Sequence, residues 1–273
     1  MRGEFVEVSG ARLYYYAAGS RGKGDPVIFI HGFPTSSHLW RDVVPLVPAG
    51  HRMVVLDLLG YGRSDRPGTH ELSITAHGGR VLALMDALRI RRAALVGHDL
   101  GGGIAQQLAV DHPERVSRIA LISSVGFDAW PPRELKLAQS ALSFARRMPA
   151  KPLLSALRRA LKGAYEDADH GARSVEMYLR PFESPGGREA LIAHVVALDP
   201  EETVALAPRL AQLGLPVSVI WGAEDPFIPL ALGRQLQQAI PRATLDVIEG
   251  VRHFPPETAP GAVGRVLADW LSR

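Results

Sequence analysis

Asp99, Asp225 and His253 are the residues of this chain whose types and order could carry out covalent chemistry. Asp99 stands in Gly97-His98-Asp99-Leu100-Gly101, the G-x-Nu-x-G spacing of a strained strand-to-helix turn that needs residues without Cβ beside the nucleophile. An ordinary aspartate titrates near about 3.9, so a carboxylate at this turn is ionised at neutral pH and needs no base in order to attack. Attack on an acyl carbon would give an anhydride, whereas attack on a saturated carbon bearing a leaving group gives an ordinary ester. His253, oriented by Asp225, would then activate water to cleave that ester. The separation of 28 positions between them (253 − 225) leaves room for one helix, one strand and two loops. Each residue also has a structural reading: Asp99 as a turn residue satisfying local amides, Asp225 before Pro226 as a helix cap, and His253 as a loop histidine.

These residues need strands that end side by side. Phe5 to Val8 and Arg12 to Ala18 read as an antiparallel pair joined by Ser9-Gly10-Ala11. Apolar runs at Pro26–Ile30, Met53–Asp57, the approach to Gly97 and Val217–Trp221 suit buried strands, and Val116–Ser123 and Thr244–Ile248 read as two further strands. Helical periodicity separates them: a helix starting near Ser36 or Ser37 with Leu39, Trp40 and Val43 inward, Ser73 to Leu88 with Ser73 as N-cap, Ile104 to Val110, Leu230 to Ala239, and a last helix to Trp270. Alternation of this kind predicts an α/β fold: a mostly parallel eight-stranded sheet with helices on both faces. Strand signals vanish from about Gly126 to Leu213, where helical pieces are separated by Pro131-Pro132, Pro149, Pro152, Pro185-Gly186-Gly187 and Pro200. The expected division is therefore a core of residues 1–125 and 214–273 with a helical lid of residues 126–213 inserted in it.

Composition narrows the function classes. The 31 Lys and Arg against 28 Asp and Glu leave a formal charge of +3, and Arg91-Arg92, Arg146-Arg147 and Arg158-Arg159 are scattered pairs that form no basic stripe for nucleic acid. Cysteine is absent, which excludes disulfides, thiolate catalysis and cysteine-ligated metals. The amino terminus lacks the apolar run of a signal peptide and no stretch approaches membrane-spanning length, so a cytoplasmic enzyme is expected. The chemistry calls for no cofactor and no metal; its partners are a small apolar organic substrate and water, with the oligomeric state left open.

The stretches His31-Gly32-Phe33-Pro34-Thr35-Ser36-Ser37, Asp57-Leu58-Leu59-Gly60-Tyr61-Gly62-Arg63-Ser64-Asp65, Gly97-His98-Asp99-Leu100-Gly101-Gly102, Gly222-Ala223-Glu224-Asp225 and Val251-Arg252-His253-Phe254 occur in the order found in α/β-hydrolases. Across nearly its whole length the chain resembles that superfamily, and in particular its aspartate-nucleophile branch of epoxide hydrolases and haloalkane dehalogenases. The resemblance implies Asp99 as nucleophile, His253 as general base, Asp225 as orienting acid, and the backbone N–H groups of Phe33 and Leu100 as the oxyanion hole. Haloalkane dehalogenases commonly hold the halide with a Trp after the nucleophile and an Asn or Trp elsewhere; Leu100 and Phe33 stand in those places, and the arginines of the fluoroacetate-type branch are replaced by Leu100 and Gly103. Epoxide opening is thus favoured over dehalogenation. Epoxide hydrolases protonate the alkoxide with lid tyrosines, for which Tyr178 and, more weakly, Tyr165 are the candidates, although the last lid helix offers His194 where a second tyrosine is usual. Trp40 and Trp130 could line the cavity, and His31 and His98 shape their loops, His31 also being a candidate substrate contact. Asp57 and Asp65 are expected to brace their own loop. A cofactor-independent lyase or isomerase, or a ligand-binding receptor on the same fold, is the alternative of another class; the complete triad disfavours the receptor.

Overall fold

The computed structural model describes residues 3–20, 22, 24–128, 130 and 150–272. Eight strands form one sheet: β1 (Glu4–Val8), β2 (Ala11–Gly19), β3 (Val27–Ile30), β4 (Arg52–Leu56), β5 (Ala93–His98), β6 (Val116–Ile122), β7 (Val217–Gly222) and β8 (Thr244–Ile248). Their order is β1-β2-β4-β3-β5-β6-β7-β8, with the β1·β2 and β2·β4 pairs antiparallel and the other pairs parallel. The central strands β3, β5 and β7 are buried at every position, which is why they read as continuous apolar runs instead of alternating ones. Register brings the strand ends level: Ile30 pairs with Gly97, His98 with Ile122, and Gly222 with Ile248. The loops after these ends therefore meet at one edge of the sheet, where ligands of open α/β sheets bind.

Helices α1 (Ile74–Ala87), α2 (Leu100–Asp111), α7 (Leu230–Ala239), α8 (Pro255–Thr258) and α9 (Pro260–Ser272) belong to the sheet core. Ser73 caps α1 as expected, its hydroxyl accepting from Ala76 N–H. Near Ser37 the chain forms two short 3-10 turns, Ser37–Trp40 and Val44–Leu46, instead of an α-helix. Pro45 and Pro48 explain this, because each removes a backbone donor that a longer helix would need. α2 starts one turn earlier than the periodicity predicts, directly after Asp99. Its glycines conceal the helix from propensity arguments, yet packing requires them.

Between β6 and β7 the described residues form α3 (Ala150–Lys162), α4 (Ala168–Leu179), a 3-10 turn at Arg180–Glu183, α5 (Gly187–Val196), α6 (Glu201–Leu206) and a 3-10 turn at Ala207–Gln212. No strand occurs among these described residues. Pro131-Pro132, Pro149 and the Arg146-Arg147 pair lie outside the described residues. Among the described residues no helix is long and apolar enough to cross a membrane.

Candidate active site

Asp99 occupies the turn between β5 and α2 with φ 53° and ψ −120°. A non-glycine residue in this region is strained, a conformation held only where its surroundings over-determine it. Two glycines make it possible: a Cβ on Gly97 would come within 2.3 Å of the Gly101 carbonyl oxygen, and one on Gly101 within 2.2 Å of the Ile30 carbonyl oxygen. The turn can therefore close only with glycine at both places. Its side chain emerges at the sheet edge and retains 15% exposure, against 2% for His253 and 0% for Asp225. Of the three, only Asp99 is open enough to meet a substrate.

The carboxylate oxygens of Asp99 are differentiated. Phe33 N–H donates to Oδ1 at 2.8 Å, and Leu100 N–H also stabilises the carboxylate. Oδ2 faces His253 Nε2 at 3.9 Å. On the other side of the ring, His253 Nδ1–H donates to Asp225 Oδ2 at 2.9 Å, which leaves Nε2 as the nitrogen toward Asp99. Asp225 combines both roles weighed from its sequence position, since its Oδ1 also accepts from Phe227 and Ile228 N–H at 2.9 and 3.0 Å.

Burial raises the pKa of Asp99 above the ordinary carboxylate value, partly opposed by His253 and the two amides. Burial alone would disfavour a charged His253, but Asp225 and Asp99 outweigh it and its pKa stands above the free imidazole value. Burial likewise acts against ionised Asp225, yet His253 and the two backbone donors pull its pKa below the usual range. Asp225 is thus the permanent anion of the group.

The remaining sequence candidates take other places. Tyr178 and Tyr165, expected as proton donors, both donate to the buried carboxylate of Glu257, Tyr165 at 3.2 Å to Oε2 and Tyr178 to Oε1. Ser174 donates to the same carboxylate at 2.6 Å, and Arg41 approaches it at 3.2 Å. The two phenols therefore fasten the insert to α8, and their protons are committed there. Trp40 is fully buried against Phe29, ring centroids 5.2 Å apart, so it belongs to the core and not to a cavity wall. Trp130 donates its indole N–H to Thr203 Oγ1 at 2.7 Å, which ties the start of the insert to α6. His31 is a loop brace and not a substrate contact: its Nε2 accepts from Leu58 N–H at 2.9 Å while Nδ1 donates to Gly32 O at 2.9 Å. His98, whose pKa burial and the neighbouring His253 lower to about 3, donates from Nε2 to the His253 carbonyl at 2.8 Å. Asp57 and Asp65 brace their loop as expected, Asp57 through Ser37 and Arg63 N–H, Asp65 through Arg12.

Two residues escape a reading by motif. Glu257 looks like an ordinary residue at the start of a helix; only the tertiary structure surrounds it with three hydroxyls, a guanidinium and the His170 imidazole at 3.4 Å. Tyr61 lies between Gly60 and Gly62 in the loop after β4, a loop the sequence marks without giving its aromatic residue a role. It is buried, its ring lies over His194 at 3.9 Å and edge-on to His31 at 5.1 Å, and among the described residues its hydroxyl has no hydrogen-bond partner. Burial raises its pKa well above the phenol value and the Asp99 charge pushes the same way, so the loop carries a protonated, unpartnered phenol within electrostatic reach of the carboxylate.

The hydrolase YugF of Bacillus subtilis is 26% identical over 276 residues, covering 97% of this chain and 96% of the relative. A 2-hydroxy-6-oxononadienedioate/2-hydroxy-6-oxononatrienedioate hydrolase of Paraburkholderia xenovorans is 26% identical over 269 residues, covering 96% and 91% of the two chains. Among solved structures, an alpha/beta hydrolase fold protein of Burkholderia ambifaria superposes with a TM-score of 0.89 at 25% identity, covering 97% of each chain. Residues 25–260, which hold the Phe33 amide, the turn at Asp99, Asp225 and His253, match the family described as alpha/beta hydrolase fold, and the chain belongs to that family.

Proposed function

We propose that this hydrolase acts on a saturated carbon through Asp99 and that its substrate is an epoxide. The observation that carries the reading is the division of labour within one carboxylate: Phe33 N–H holds Oδ1, while Oδ2 points to His253. Oδ2 attacks the less hindered epoxide carbon, the ring C–O bond breaks, and the alkoxide takes a proton. That leaves an alkyl ester at Asp99 whose carbonyl oxygen is Oδ1, already in the oxyanion hole. His253 removes a proton from water, the resulting hydroxide adds to Cγ, and the developing negative charge falls on Oδ1 against the Phe33 and Leu100 amides. Collapse releases a vicinal diol as the imidazolium returns its proton to the departing alkoxide, and the proton left on the Asp99 carboxylic acid passes to the phenolate formed in ring opening, which resets both groups. Asp225 stabilises that imidazolium throughout.

The proton for ring opening is assigned to Tyr61 in place of Tyr178 or Tyr165. An alkoxide is a stronger base than a phenolate, so even a phenol of raised pKa gives up its proton to it. Halide as leaving group is less well served, because a halide needs N–H donors aimed at it. Leu100 supplies no side-chain donor, Trp130 is committed to Thr203, and the Trp221 indole N–H donates to Ile228 O at 2.9 Å. A carbonyl substrate such as that in the name of the Paraburkholderia relative would leave an anhydride on Asp99, a less stable intermediate than the ester. The helical insert between β6 and β7 is assigned the role of a lid.

The test is trapping. His253→Gln mixed with styrene oxide accumulates the alkyl ester, read as a mass increase of one substrate on the peptide containing Asp99. A variant that stays unmodified under conditions where the unsubstituted enzyme forms diol removes the covalent mechanism, and the absence of diol from every epoxide offered to the unsubstituted enzyme removes the substrate.

A further inference from the structure

A cleft of about 570 Å³ opens between β2, the loops after β3 and β4, and the end of α4, a volume in the range of small-molecule sites. Neither Phe33, Asp99, Asp225 nor His253 lines it. Four arginines do: Arg41, Arg63 and Arg66 from the core, and Arg180 from the insert. Arg41 is matched by Glu257 and Asp42, each at 3.2 Å. The other three make no ion pair among the described residues. Arg63 donates to the Tyr14 hydroxyl at 2.7 Å and its guanidinium carbon lies 4.8 Å from the centre of that ring, a neutral partner on both counts. Arg66 donates to the Pro181 carbonyl and the Ser184 hydroxyl, both neutral. Burial without a compensating anion depresses its pKa.

Asp57 is the carboxylate in the wall, and its oxygens are already taken by Ser37 N–H at 2.6 Å and Arg63 N–H at 2.8 Å. Its charge offsets one arginine of the three, so the cleft carries a surplus of about two positive charges on concave walls, the arrangement that concentrates anions. Guanidinium groups match carboxylate and phosphate oxygens in planar, two-point fashion. The charges also sit on opposing walls, Arg63 and Arg66 on the core and Arg180 on the insert, where they repel unless something negative lies between them.

We propose that this cleft is a binding site for a small molecule with two anionic oxygen groups or one phosphate, held between Arg63 and Arg66 on one side and Arg180 on the other. Binding there draws the insert onto the core, so the anion stabilises the closed arrangement by mass action. The site is separate from the catalytic residues.

Calorimetric titration at low ionic strength with succinate, inorganic phosphate and the neutral isostere succinamide tests it. Saturable binding of succinate or phosphate with a submillimolar Kd is expected, together with a rise in melting temperature and no binding of succinamide. Arg63→Ala and Arg180→Ala should each weaken binding by roughly tenfold, the loss expected for one charge-assisted contact of about 1.4 kcal/mol. Arg180 is exposed, and circular dichroism of that variant checks that the fold is kept. If the anion is the acidic end of a substrate, succinate competes with an epoxide bearing a carboxylate and Arg180→Ala raises KM for that epoxide alone. If it is an independent ligand, phosphate binds equally well to enzyme alkylated at Asp99. No saturable binding of either anion up to about 10 mM, or equal binding to the arginine variants, overturns the proposal. The titration involves no turnover, so it stands or falls apart from the reading of Asp99.

Discussion

In the proposed mechanism the two oxygens of Asp99 do different work, Oδ1 held by the Phe33 amide and Oδ2 turned to His253. His253 must be neutral to activate water, so ester hydrolysis is lost as pH falls through its pKa. Asp225 raises that pKa, and Asp99 raises it only while ionised. Alkylation removes the Asp99 charge, so the acid limb of ester hydrolysis lies below the imidazole pKa of the free enzyme. Asp225→Asn should move this limb to lower pH and slow the step as well, since the orienting acceptor for Nδ1–H is weakened; rapid-quench measurement of ester decay from pH 5 to 9 checks both. At Tyr61 the expected effect of Phe substitution is a fall in the alkylation rate of about 10²-fold or more, the span typical of a general acid. Tyr178→Phe should leave that rate within a few fold, because its hydroxyl serves Glu257. Single-turnover alkylation of both variants separates the assignments, and the reverse ranking would return the proton to the insert.

Packing decides the elements at which propensity misleads. A run of glycines argues against a helix, yet α2 begins at Leu100 because β3 leaves no room for a Cβ at position 101. The same substitution therefore has opposite signs in two helices. Gly101→Ala should destabilise by about 2–3 kcal/mol, since the atom it meets is backbone and cannot swing aside. Gly79, exposed in the middle of α1, has nothing within 4 Å of its would-be Cβ, and Gly79→Ala should stabilise by about 0.5–1 kcal/mol. Urea unfolding midpoints of the two variants give the comparison.

Across the whole molecule, the insert is tied to the sheet core at two places. Its turn at 163–166 grips the loop that carries His253: His253 N–H donates to the Ala164 carbonyl at 3.3 Å, the Arg252 guanidinium donates to the Gly163 and Tyr165 carbonyls at 3.1 Å each, and Arg252 N–H donates to Glu166. Glu257, one turn beyond His253, supplies the second hold through Tyr165, Tyr178 and Ser174. Glu257→Gln leaves the partly buried Arg41 without its buried counter-charge, and breaking a buried pair costs about 3 kcal/mol or more. The variant should show a lower urea midpoint and faster proteolysis within the insert. An unchanged cleavage rate would mean that the insert is held from elsewhere.

The strands, the burial of the central ones and the convergence of Asp99, Asp225 and His253 were legible in the sequence because each depends on local features: continuous apolar runs for strands covered on both faces, and glycine spacing around a turn that admits no Cβ. Strand ends that must stand level in a parallel sheet then bring the loops together without further information. The fates of Tyr178, Tyr165, Trp40 and Trp130 were not legible, since a phenol or an indole has the same local signature whether it faces a substrate, a carboxylate or the core. Glu257, Tyr61 and the arginine cleft were hidden for the same reason: each is defined by side chains brought from distant segments, and which of them meet is fixed by how the insert seats on the sheet. Sequence alone determined which residues stand together at the strand ends; tertiary packing decided which polar groups are already spoken for and which are left free.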